Sequence, residues 1–257
     1  MNAWLRDIRL GLRTLQKSPG LTAVSVIALM LGIGLTTMMF SIVYGALLKG
    51  LPFEGGDRIV AVWRTNPRAD INRQSLPAQE YLDVKTQARS FEQIGVYTGG
   101  TMNVSGLEEA QRYQGTWITE AAMAIPGVQP ALGRLFREGE ATPGGAKVAI
   151  IGYAMWRDRF ALSPSVLGTT IRVNSEPYEI VGVMPEGFRW PENGELWLPW
   201  QVDPFSTPRG EGNFVQTVPK LAPGVSLDQA NAELSTVYAR LATEYPETNK
   251  DFTGFTQ

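Results

Sequence analysis

Cysteine and histidine are both missing from this 257-residue chain. Without cysteine there is no disulfide, no thiolate nucleophile and no Cys/His zinc site. Without histidine there is no imidazole general base, so the usual hydrolase triad cannot form. No Gly-x-x-x-x-Gly-Lys-Ser/Thr phosphate loop occurs, and no Gly-x-Ser-x-Gly elbow. Gly144 and Gly145 precede a β-rich run, whereas a phosphate cradle has to open a helix, so they read as a turn. The chain is therefore not expected to hydrolyse ATP by itself.

Charge is missing from one long stretch. Residues 21–48 (LTAVSVIALMLGIGLTTMMFSIVYGALL) carry no Asp, Glu, Lys or Arg. About 20 apolar residues suffice for a helix to cross a hydrocarbon core of roughly 30 Å. The run exceeds the length of a signal-peptide apolar region, and a basic extension precedes it, so a retained transmembrane helix is expected rather than a cleaved leader. Pro19 suits its first turn, with Ser18 as N-cap.

The charges that are present are unevenly placed. Residues 1–49 hold Arg6, Arg9, Arg13, Lys17 and Lys49 against Asp7, a net of +4, which leaves −6 for the remainder. The positive-inside bias puts the amino end in the cytoplasm and the body outside. An acidic body argues against nucleic-acid binding. Trp4, Leu5, Ile8, Leu12 and Leu15 recur at helical spacing, with Arg6, Arg9, Arg13 and Lys17 largely off that stripe. This pattern predicts a cytoplasmic amphipathic helix in the headgroup plane, where Trp4, Arg6, Arg9, Arg13 and Lys17 touch the membrane surface. The alternative is an ordinary basic flank. Ala28, Gly32 and Thr36 form a small-residue stripe that could admit another helix, although such residues are common in membrane helices generally.

Beyond the helix the pattern mixes short strands and helices. Arg58–Thr65, Val96–Ser105, Arg112–Ile118 and Lys147–Ile151 read as strands, and Pro77–Gln87 and Tyr153–Phe160 as helices. Thr169–Met184 reads as a hairpin turning through Ser175, Glu176 and Pro177. Glu195–Trp200 reads as an edge strand because of Pro199. Val215–Leu221 is a strand weakened by Pro219. Ser226 and Gln229 have capping-box spacing before a helix burying Ala230, Leu234, Val237 and Leu241, and Pro246 follows its end.

Chemistry is sparse. Glu108–Glu109 and Glu138/Glu140 are the nearest carboxylate pairs, and each lies in a turn-like stretch where a solvated charge is the better reading. Acidic clusters with calcium-loop spacing are absent. Phe188, Trp190, Trp197 and Trp200 crowd thirteen residues. They suit a sugar or lipid contact surface or, preferably, a core layer. No residue is assigned to catalysis, to a cofactor or to a metal.

Several blocks, in order, carry a family resemblance. They are the amino end from Asp7 to Phe53 with its Lys17-Ser18-Pro19-Gly20, GVQPALGRLF at 127–136, VAIIGYAMWRDRF at 148–160, VLGTTIRVN and YEIVGVMPEGF within 166–188, LAPGVSLDQANAEL, and EYPETNK. The chain resembles the MacB-type ABC transporter permeases, specifically their acidobacterial duplicated branch. That resemblance implies an α+β chain: residues 1–18 as a cytoplasmic interfacial helix, 19–49 as a transmembrane helix, and 50–257 as a mixed α/β periplasmic core domain with two subdomains. It implies a place in a bacterial inner membrane, a separate ABC ATPase subunit, and a homodimer or pairing with other permease helices. Such permeases continue into at least three further membrane helices, whereas this chain ends at Gln257. The function expected is a permease component of an export or mechanotransmission system whose outer domain meets substrate or partner proteins. The alternatives are an anchored interaction domain without transport and, more remotely, an anchored carboxylate-dependent hydrolase.

Overall fold

The computed structural model describes residues 13, 16–43, 53, 55–106 and 109–257. The chain divides into two compact units, residues 1–52 and 53–257.

In the first unit helix α1 (Pro19–Val43) runs for 25 residues. Its first hydrogen bond joins the Thr22 N–H to the Ser18 carbonyl at 3.0 Å, so Ser18 and Pro19 sit where capping and first-turn chemistry place them. The stretch Pro19–Ser41 has a mean hydropathy of 2.1 and none of it is buried. Leu21, Ile27, Met30, Met39 and Phe40 all stand exposed along it. An apolar surface of that length is stable only in hydrocarbon or against other apolar chains.

The second unit runs β1 (Val62–Asn66), β2 (Ile71–Gln74), β3 (Leu76–Pro77), α2 (Ala78–Gln87), β4 (Phe91–Ser105), β5 (Gln111–Ile118), α3 (Glu120–Ala124), β6 (Leu132–Gly133), β7 (Val148–Ile151), α4 (Tyr153–Phe160), β8 (Thr170–Val173), β9 (Glu176–Val183), β10 (Leu196–Pro199), β11 (Phe214–Leu221), α5 (Leu227–Glu244), α6 (Pro246–Asn249) and β12 (Thr253–Thr256). Its two ends form one substructure. β12 pairs antiparallel with β1, and β11 pairs antiparallel with β4. Just before β1, Ile59 forms an antiparallel bridge with Lys220 of β11, which brings β1 beside β11. The spatial order is thus β12-β1-β11-β4, the split βαββαβ arrangement, with α2 and α5 covering one face. Val62, Tyr81, Val84, Val96, Val215, Leu234, Val237, Tyr238 and Leu241 form the core between them.

The β1–β11 seam is mended by a side chain. Thr217 Oγ1 accepts from the Val62 N–H at 2.8 Å and donates to the Val62 carbonyl at 3.0 Å. Pro219 has no N–H to offer, but its carbonyl accepts from Val60 at 3.0 Å. The proline therefore does not demote β11, which pairs with β4 from Gln216 to Leu221.

Residues between β4 and β11 build a second substructure. β4 runs on to pair with β5, β5 pairs parallel with β10, and β10 pairs with β7. β7 pairs parallel with β9, β9 pairs with β8, and β8 returns to β4. The six strands form a closed circuit around Met102, Val104, Ala149, Ile151, Ile171, Val173, Ile180, Leu196 and Leu198. Closure depends on the β8–β9 turn. Asn174 and Ser175 both have positive φ, 50° and 74°. Asn174 N–H donates to the Asn103 carbonyl at 2.8 Å, and its Oδ1 accepts from Asn103 N–H at 3.0 Å. The turn thus falls at 174–175, with Val173 opposite Glu176, rather than through Glu176 and Pro177. Two consecutive positive φ values match the strand twist, which a turn through proline could not.

β10 is likewise an interior strand, not the expected edge. It lies between β5 and β7, and the β7 pairing ends at Trp197, two residues before Pro199. The proline is tolerated because that flank no longer needs an N–H.

Candidate functional site: the membrane helix and the open surfaces of the outer domain

Along α1, Ala28, Gly32 and Thr36 are all exposed. Thr36 donates its hydroxyl to the Gly32 carbonyl at 2.7 Å, which satisfies the polar group within the helix. A side-chain carbon built on Gly32 would meet nothing within 4 Å. The stripe is therefore open to a neighbouring helix. Arg13 and Lys17 are exposed, whereas Trp4, Arg6 and Arg9 lie outside the described residues.

The aromatic group resolves into core. Trp190, Trp197 and Trp200 are buried. Trp190 Nε1 donates to the Ala122 carbonyl at 2.9 Å, and Trp197 Nε1 donates to the Trp190 carbonyl at 2.6 Å. Phe188 tilts against Trp197 with ring centroids 5.4 Å apart. Trp200 belongs to the other core, edge-on to Tyr81. Buried indoles with satisfied N–H groups are packing residues, not a contact surface.

Two acidic residues are less ordinary than their sequence setting. Glu140 is not a solvated charge. Its carboxylate takes both Arg134 Nη1 (3.0 Å) and Nη2 (2.7 Å), and also the Arg137 N–H at 2.8 Å. Burial pushes its pKa up, but Arg134 and the Arg137 amide outweigh burial and hold it below the usual carboxylate range. Glu80 was not singled out from sequence at all. It is fully buried, and Arg64 is 4% exposed. Arg64 Nη1 lies 2.5 Å from Glu80 Oε1, the Tyr238 hydroxyl donates to Oε2 at 3.0 Å, and Asn249 Nδ2 donates to Oε1 at 2.9 Å. Phe252 and Phe214 flank the guanidinium. Burial raises the Glu80 pKa, opposed by Arg64, Tyr238 and Asn249. Every carboxylate oxygen is used to tie β1, α2, α5 and α6 together, so the group is a structural clasp. The only sequence hint was a charged residue in the first turn of an otherwise amphipathic helix.

A concave trough lies on the outer face of the strand circuit. Gly99 and Gly100 of β4, and Gly115 of β5, make its floor. Gln114, Thr116 and the segment Pro191–Gly194 make its walls, around a volume of about 600 Å³. A side-chain carbon on Gly99 would meet Glu192 Oε2 of the wall at 2.9 Å, and the other two glycines have packing reasons. A side-chain carbon on Gly115 would collide with Met102 Sδ at 2.1 Å, and one on Gly100 would press on the Trp117 ring at 3.1 Å. Tyr97 donates to Glu192 Oε1 at 3.2 Å across the wall. Burial, and then the Glu192 charge, push the Tyr97 pKa up, so the phenol stays a donor. Among the described residues no group of three or more Asp, Glu, Cys or His could hold a metal. The trough offers shape and hydrogen bonds, without a paired acid and base.

Outside comparisons agree with this architecture. A sequence profile described as the MacB-like periplasmic core domain matches residues 22–237. This chain belongs to that family. The MacB-like domain here is similar in fold to the extracellular domain of the noncanonic ABC-type transporter YknZ from Gram-positive bacteria. That likeness has 18% identity and a TM-score of 0.56, covering 77% of this chain and 99% of the other. It is similar also to the periplasmic region of MacB from Actinobacillus actinomycetemcomitans, at 16% identity and a TM-score of 0.54, covering 77% and 88%. Among curated proteins none matches the chain. Among the described residues one helix is long and apolar enough to cross a membrane, and the matched region begins within it.

Proposed function

We propose that this chain is a permease component of an ABC-type export or mechanotransmission system. The observation that carries the proposal is a bare, uncharged 25-residue helix leading into a MacB-like domain. The chain has no phosphate loop, so a separate ABC ATPase subunit supplies hydrolysis. The arginine-rich amino end lies in the cytoplasm, and the domain projects outside. The Ala28–Gly32–Thr36 stripe packs against a second copy or another permease helix. The glycine-floored trough is the surface on which substrate or a partner protein is engaged.

Affinity purification of the tagged chain from its own membranes is the test. Co-purification of an ABC ATPase, lost on Gly32→Leu, supports the proposal. Recovery without any ATPase, or a reporter fused after residue 100 that is active inside the cell, refutes it.

A further inference from the structure

A second cavity of about 400 Å³ opens beside the start of the outer domain. It is lined by Gly55, Arg58, Ile125, Pro126, Gly127 and Lys220. No acidic side chain lines it among the described residues. Its two cations converge. A side-chain carbon placed on Gly55 would stand 3.4 Å from Arg58 Nη2 and 3.6 Å from Lys220 Cε. Gly55 has φ of 68°, a conformation that disfavours any residue bearing a side chain there. Arg58 Nη1 is fixed from behind by Glu92 at 3.0 Å and the Leu221 carbonyl at 2.8 Å. That leaves Nη2 and Nε toward the cavity. The Lys220 ammonium makes no ion pair or hydrogen bond among the described residues, although its backbone pairs with β4 and bridges to Ile59. Glu92 answers the Arg58 charge from one side only, whereas the Lys220 ammonium has no acidic partner among the described residues.

The geometry points to a phosphate-bearing anion in this cavity, gripped by Arg58 and Lys220. Arginine fixed from one side presents a fork to phosphate oxygens, and lysine adds a point charge. The anion has two possible sources, a phospholipid headgroup or a soluble phosphate. Gly55 follows Val43 by twelve residues, which span at most about 40 Å, so a bilayer surface lies within tether reach. This site goes beyond the transport reading, and its lipid arm needs only that α1 be anchored.

The full chain is reconstituted into phosphatidylcholine vesicles doped with a photoreactive phosphatidic acid, and cross-linked peptides are mapped. In parallel, the detergent-solubilised chain is titrated with inorganic phosphate by calorimetry. Resistance to carbonate extraction reports anchoring separately. Labelling at residues 55–58 or 220 that falls about five-fold in Lys220→Gln and returns in Lys220→Arg supports the site with a lipid occupant. Phosphate heats with the same dependence, without labelling, support it with a soluble occupant. If neither probe responds, or if both ignore Lys220→Gln in an anchored protein, the inference fails.

Discussion

At Glu140 and Glu80, two carboxylates have opposite relations to their surroundings. Glu140 has its pKa held down by Arg134 and the Arg137 amide despite burial. Its folded-state value lies below its unfolded one, so its contribution is present above about pH 4.5 and fades as pH falls through the depressed value. Glu140→Gln should therefore cost about 2 kcal/mol at neutral pH. The gap from the parent should close in acid, as read by urea unfolding in non-ionic detergent with tryptophan fluorescence. A gap that stays constant with pH would show that the ion pair contributes nothing. Glu80 is the harder loss. Glu80→Ala strands a guanidinium that is 4% exposed, beside a Tyr238 hydroxyl that loses its acceptor. About 3–5 kcal/mol of destabilisation is expected by the same measurement.

Individual elements are joined by side chains where the backbone ladder gives out. Thr217 supplies both a donor and an acceptor to Val62 across the β1–β11 seam. Thr217→Val keeps the shape but leaves a buried N–H and carbonyl unpaired. A loss of about 1–3 kcal/mol should follow, with faster amide exchange at Val62. Unchanged exchange there would mean the seam does not need the hydroxyl. In the strand circuit Asn174 adds to the short β4–β8 ladder in the same way, and its φ of 50° suits asparagine better than most residues. The α5 helix shows the reverse case. Its capping box is local chemistry, with Ser226 N–H to Gln229 Oε1 at 2.9 Å and Gln229 N–H back to Ser226 Oγ at 3.2 Å. That box was legible from spacing alone, as were α2 and α4. The turn at 174–175 and the interior position of β10 were not, because both depend on which strand lies alongside.

For the whole molecule, the two units make different demands on solvent. Residues 53–257 carry their own cores, whereas α1 offers apolar surface with nothing covering it. Removing residues 1–52 should give a domain that fractionates without detergent and unfolds in one cooperative step. The full chain should require detergent throughout. A truncated domain that aggregates, or a full chain recovered without detergent, would contradict this division of labour.

Composition and periodicity alone determined that this protein has one uncharged helix for hydrocarbon, a basic end before it, and a mixed α/β body without thiol, imidazole or phosphate-loop chemistry. Those properties are local: they depend on a residue's type and its near neighbours. The tertiary structure decided that β4 spans two substructures, that six strands close on themselves, and that Glu80 and Glu140 are clasped rather than solvated. It also decided that Arg58 and Lys220, 162 positions apart, converge beside Gly55. A charge's role depends on what the chain folds against it, and no spacing in the sequence records that.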